Sequence, residues 1–206
     1  IKANPAEKDR VWRIARHRPW RHLSYLGHLF WLGFWSDIVY VTDTYSVGYF
    51  AYLIKKITGK KYVLRFAGDS AWETAVANGW TKDYIVDFQQ KKYDPRIEKL
   101  KQRRAKILIN ADKVVEVSYF ISGIAKKIGV DIAKIRVIYN AVDFFGQASQ
   151  RIKPAEPILV FAGRLMPWKG VEALLRVVVK LKELWPEIVF EVLGDGVALY
   201  QSPPVA

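Results

Sequence analysis

The sequence predicts an α/β fold with parallel sheets. Two observations in the residues carry the α/β prediction. Short apolar runs rich in Val, Ile, Tyr and Phe alternate with helix-length amphipathic segments along the chain, as in strand-helix-strand units. Several of those runs are nearly continuous in hydrophobicity, as expected for strands covered on both faces of a parallel sheet.

Each element follows in order. Residues 37–42 (DIVYVT) read as a strand, and 46–57 as a helix stopped by Gly59. The next strand is 61–67 (KYVLRFA). A basic helix over 95–111 leads into the strand 113–118 (KVVEVS). Ser118 stands where a strand gives way to a helix, a natural N-cap for 119–128, which Gly129 ends. Residues 135–139 form a fourth strand. Between 144 and 156 the period is lost among Gly146, Gln147, Ser149, Gln150 and Pro154, so this stretch reads as an interdomain linker. It divides an N-terminal domain (1–143) from the start of a C-terminal domain (157–206). The latter has a strand at 157–162, a helix at 171–184 and a strand at 188–193. Val171, Leu174, Leu175, Val178 and Leu181 make one stripe of that helix, and Glu172 and Arg176 form an i,i+4 pair. One such unit falls below the usual size of a domain, so the second domain is expected to be cut short.

Composition narrows the function classes. Of 206 residues, 51% are hydrophobic and 14% aromatic, which supplies a core. There is no cysteine, which excludes disulfides and thiolate chemistry and points to a reducing, cytoplasmic setting. The apolar run at 22–36 is too short to span a bilayer. The net charge is +13. Residues 1–36 hold seven Lys/Arg against two acids, and 91–106 hold eight against two. Such a surface attracts phosphates of nucleotide, lipid or nucleic acid. Trp12, Trp20, Trp31 and Trp35 lie among Arg13, Arg16, Arg18 and Arg21. They suit either peripheral contact with an anionic membrane or a helix packed beside the first strand. His17, His22 and His28 are the only histidines and show no ligand spacing, so no metal site is expected.

The segment with the most chemistry is GRLMPWKG at 163–170. It follows a strand and opens a helix, where α/β folds bind ligands. A helix N-terminus offers free N–H groups to an anion. Arg164 adds a planar fork and Lys169 a point charge, while Gly163 and Gly170 permit close backbone approach. On residue chemistry alone the two cations suit a diphosphate or are solvated loop residues. Neither a Walker loop nor a G-x-G-x-x-G occurs. Asp69 and Glu73, four apart, suit helix capping, surface exposure or acid-base work.

Three segments together resemble glycosyltransferase family 4, the glycosyl transferases group 1. FAGRLMPWKG at 161–170 is similar to that family's "GR…KG" segment, VIYNAVD at 137–143 to its "IPNGVD", and LGDG at 193–196 to its "VGDG" turn. GDSAWE at 68–73 lies in a stretch similar to the late N-terminal domain. The resemblance implies the GT-B architecture of two Rossmann-like domains with parallel sheets, both incomplete in this chain: an acceptor-side domain (1–143) lacking its first strand and the start of a nucleotide-sugar-binding domain (157–206). It implies retaining transfer of a hexosyl-type sugar from a nucleoside-diphosphate sugar and no obligatory metal or other cofactor. It implies that Gly163, Arg164, Lys169 and Gly170 bind the donor diphosphate, and that Gly194, Asp195 and Gly196 lie near the nucleotide. Gly68 and Asn140 would lie near the acceptor, and Asp69 stands where a catalytic group on that side is expected. The acceptor would be a saccharide or a lipid-linked sugar in glycan, glycolipid or cell-envelope synthesis. The family's glycine-rich loop and E-x7-E segment fall outside this sequence, so the chain alone is expected to lack transferase activity. Two other readings of the residues are a basic α/β module that binds nucleic acid through 91–106 and another GT-B enzyme, such as a sugar-nucleotide epimerase.

Overall fold

The structure is a computed structural model that describes residues 20–142 and 156–196. Within them the chain runs α1 (Trp20–Trp35), β1 (Ile38–Val41), α2 (Ser46–Thr58), β2 (Lys61–Phe66), α3 (Ser70–Ala77), α4 (Ile85–Gln90), α5 (Pro95–Ile109), β3 (Lys113–Glu116), α6 (Tyr119–Ile128), β4 (Ile135–Val137), β5 (Ile158–Ala162), α7 (Val171–Leu184) and β6 (Val189–Leu193). Every predicted strand and helix is present. The helices α3 and α4 fall in a stretch the periodicity left unassigned, because each is short. The linker at 144–156 lies outside the described residues except for Glu156.

The chain forms two compact units, Ile1–Trp72 with Tyr84–Asn140, and Glu73–Asp83 with Ala141–Ala206. The first contains a four-stranded parallel sheet in the order β1-β2-β3-β4. Its register aligns Leu64 with Val114 and Val114 with Ile135. Strand order that follows chain order, with right-handed crossovers, places the connecting helices on one face. That face is the core, and on it Tyr62, Leu64, Phe66, Val114 and Ile135 are buried. The opposite face carries Ile38 and Tyr40, both more than half exposed. The expectation of strands covered on both faces is therefore corrected: burial alternates along β1, β2 and β3.

Caps fix the helix ends. The Asp94 carboxylate accepts from the Arg96 and Ile97 N–H groups ahead of Pro95 at the start of α5. The Ser118 hydroxyl accepts from Ile121 N–H at α6. Gly59 and Gly129 close α2 and α6 in the left-handed conformation. Gly48 has a different reason to be glycine, since a Cβ there would stand 2.2 Å from the Asp43 carbonyl oxygen. Helix α1 packs on α2 through the Tyr25–Phe50 rings, 5.4 Å apart, and Gly33 against Ile54. Trp20, Trp31 and Trp35 remain exposed. Trp12, Arg13, Arg16 and Arg18 lie outside the described residues.

In the second unit β5 and β6 pair in parallel from Ile158↔Val189 to Ala162↔Leu193. Helix α7 follows the predicted stripe, with Val178 buried and Val171, Leu174, Leu175 and Leu181 half-buried.

Candidate functional site

Parallel strands deliver their following loops to one edge of a sheet. In the second unit that edge carries both glycine-containing segments singled out above. The backbone ladder continues past the strands: Gly163 N–H donates to Leu193 O at 2.9 Å, and Leu165 N–H to Asp195 O at 2.9 Å. The two turns run so close that a Cβ on Gly194 would stand 1.9 Å from Gly163 O, and one on Gly196 2.2 Å from Leu165 O. The glycines of the second turn thus exist to admit the first. Leu165, 3% exposed, anchors the loop inward.

The cations flank that anchor. Arg164 and Lys169 are exposed, and neither side chain makes a hydrogen bond or ion pair with a described residue. Pro167–Lys169 is one 3-10 turn, with Lys169 N–H bonded to Met166 O. Gly170 then takes φ +70 as the N-cap of α7 and supplies no capping side chain. The first-turn N–H groups of this 14-residue helix accordingly face the loop without a side-chain cap. The Asp195 carboxylate accepts from the N–H of Gly196 at 2.7 Å and so turns toward its own loop. The result is an exposed cradle of backbone donors with one guanidinium and one ammonium, suited to an oxyanion.

In the first unit the corresponding edge is built differently. Gly68 and Asp69 follow β2, and Asn140 follows β4. The Asn140 side-chain oxygen accepts from the Arg65 guanidinium at 2.7 Å. Thr44 and Ser70 hydroxyls bond to one another, and the Tyr45 hydroxyl donates to Ser70 O at 2.6 Å. Sequence reading missed Arg65, Thr44 and Tyr45. For Arg65 the signal was a charge in the interior of the strand KYVLRF.

Asp69, expected on the acceptor side as a catalytic group, is 1% exposed. One carboxylate oxygen accepts from the Ala71 and Trp72 N–H groups at 3.0 and 3.3 Å, capping α3. The other accepts from the Gln89 amide at 2.8 Å and from the Arg104 guanidinium. Gln89 closes the triangle by accepting from Arg104 at 3.0 Å. Burial lowers the pKa of Arg104, and Asp69 opposes that shift. This is a sealed structural ion pair, and the capping role read from sequence accounts for the carboxylate.

No group of three or more His, Cys, Asp or Glu that could hold a metal occurs among the described residues. No helix among them is long and apolar enough to cross a membrane.

No protein-family model matches the chain, and no curated protein matches it. Solved structures do. Anabaena Alr3699/HepE in complex with UDP-glucose is 14% identical, with a TM-score of 0.59 over 85% of this chain and 44% of that one. The same protein with UDP is 13% identical, with a TM-score of 0.57 over 88% and 46%. With UDP and glucose it is again 13% identical, at 0.60 over 85% and 44%. The chain therefore spans less than half the length of these structures.

Proposed function

We propose that the protein, whose fold is α/β with parallel sheets and of GT-B type, is part of a glycosyltransferase of family 4, using a nucleoside-diphosphate sugar, with 163–170 as its donor-diphosphate loop. One observation carries this reading: Arg164, Lys169 and the uncapped start of α7 converge on one exposed edge, and no described residue neutralises them. The UDP and UDP-glucose bound to the structures of like fold support the choice of ligand class.

In the proposed reaction the bond between the sugar's anomeric carbon and the diphosphate oxygen breaks. The diphosphate leaves with the electron pair. Arg164, Lys169 and the α7 N–H groups stabilise the negative charge that grows on it. The acceptor hydroxyl bonds to the anomeric carbon and passes its proton to an oxygen of the departing diphosphate, and the configuration at that carbon is retained. A hexosyl donor and a saccharide or lipid-linked acceptor, in glycan or cell-envelope synthesis at the cytoplasmic membrane face, complete the proposal. No resident metal is needed, because protein cations balance the charge. Gly194, Asp195 and Gly196 border the nucleotide; Gly68 and Asn140 border the acceptor. Asp69 holds the turn that carries Gly68 in place and does not itself touch the acceptor.

Isothermal titration with UDP-glucose tests the reading. Arg164→Ala and Lys169→Ala are each expected to weaken binding about tenfold or more, as loss of a charge-assisted bond does. Affinity unchanged in both variants would remove the assignment.

A further inference from the structure

Between residues 91 and 106 the structure separates cations the fold uses from cations it does not. Lys101 contacts Glu98 at 3.4 Å and the Lys91 carbonyl at 2.6 Å. Arg96 lies 3.4 Å from Asp94, and Arg104 is buried on Asp69. Lys99, Arg103 and Lys106 do none of this. Spaced i, i+4, i+7, they occupy the exposed side of α5, and none makes an ion pair with a described residue. Like charges four apart repel and weaken a helix slightly. Lys106 recovers some of that at the helix C-terminus, but Lys99 and Arg103 do not.

These three side chains, with Gln102 and Tyr49 of α2, line an open groove of about 420 Å³. No carboxylate lines it. The Arg103 guanidinium lies 4.4 Å from the centroid of the Tyr49 ring, and the Lys106 ammonium 5.6 Å from that of Tyr52. Such contacts restrain long cationic side chains before any ligand arrives, so less order must be imposed on binding.

We propose that this groove is a second anion site, which binds a phosphate-bearing ligand of charge two or more. It is independent of the donor loop. Its cations span about 10 Å along the helix axis at 1.5 Å per residue. That length suits one phosphate or diphosphate group better than a track of nucleotides. A soluble phosphate ester and a lipid headgroup share this chemistry, and the test distinguishes them.

The test uses the whole chain carrying Arg164→Ala and Lys169→Ala, so that the donor loop cannot supply the binding. Sodium pyrophosphate is titrated calorimetrically. Phosphatidylcholine vesicles with and without phosphatidic acid are used for co-sedimentation. At least one probe is expected to bind, and Lys99→Gln, Arg103→Gln and Lys106→Gln together should weaken it at least tenfold with the circular dichroism unchanged. Gln102→Glu, which keeps all three cations, should weaken it as well. Pyrophosphate binding alone identifies a soluble ligand, and binding only to phosphatidic acid vesicles identifies a headgroup. The proposal is overturned if neither probe binds, if the variants bind as before, or if only a DNA oligonucleotide binds, with steep salt dependence.

Discussion

In the first unit the buried Asp69 meets Arg104, Gln89 and two helix N–H groups, and the half-exposed Lys55 meets Asp112 at 2.8 Å. In the second unit Arg164 and Lys169 meet no described side chain, and the strand edge that carries them is exposed. The contrast separates two reasons for a charge to be present. A buried, paired charge is explained by folding, because removing its partner strands it. An exposed, unbonded pair beside an uncapped helix start is not explained by folding, and under the proposed function a diphosphate would occupy it. The contrast belongs to sites and not to units, since in α5 the unpaired Arg103 is the neighbour in sequence of the buried Arg104.

The comparison can be broken most decisively at Asp69. Asp69→Ala leaves Arg104 buried without its partner and removes a cap, and is expected to cost about 3–5 kcal/mol in urea denaturation. A loss under about 1 kcal/mol would refute the structural role. Gly194→Ala forces a Cβ against Gly163 O. It should cost about 1–3 kcal/mol through the displaced backbone, read as lost amide protection at 163–165 with β2 and β3 protection unchanged.

Glu116 sharpens the comparison from the other side. It is fully buried, and neither carboxylate oxygen has a hydrogen-bond partner. Burial raises its pKa; Ser122 and Lys126 pull it back only in part, without hydrogen-bond geometry. A raised folded pKa means the folded state prefers the protonated form. Stability is then complete below the unfolded carboxyl pKa and falls as pH rises through the folded one. Glu116→Gln should therefore stabilise the protein at pH 7, with the gain shrinking toward pH 4; a gain that grows toward pH 4 would contradict this. The smallest effect is predicted for the donor loop. Arg164→Ala and Lys169→Ala should change stability by less than about 0.5 kcal/mol in the same denaturation assay.

How far the sequence could be read depended on how local the determining physics was. Strands β1 to β6 and helix α7 were legible because their apolar period is set residue by residue. Gly59, Gly129 and Ser118 were legible because capping is a local bond. The pairing of the 163–165 and 194–196 turns was not, although both segments were recognised, since only the parallel register of β5 and β6 brings them together. The Asp69–Arg104–Gln89 triangle was hidden for the same reason: its members are 15 to 35 positions apart. The exposed face of the first sheet was misjudged because hydrophobic runs report the character of residues and not what covers them.

The central claim is that 163–170 grips a diphosphate. Its most direct test compares UDP with UMP in calorimetric titrations of the native chain and of the Arg164→Ala, Lys169→Ala double variant. The account predicts that the native chain binds UDP at least tenfold more tightly than UMP, and that this preference collapses in the variant. A preference for UDP that survives the double substitution, or a native chain that does not distinguish the two, would contradict it.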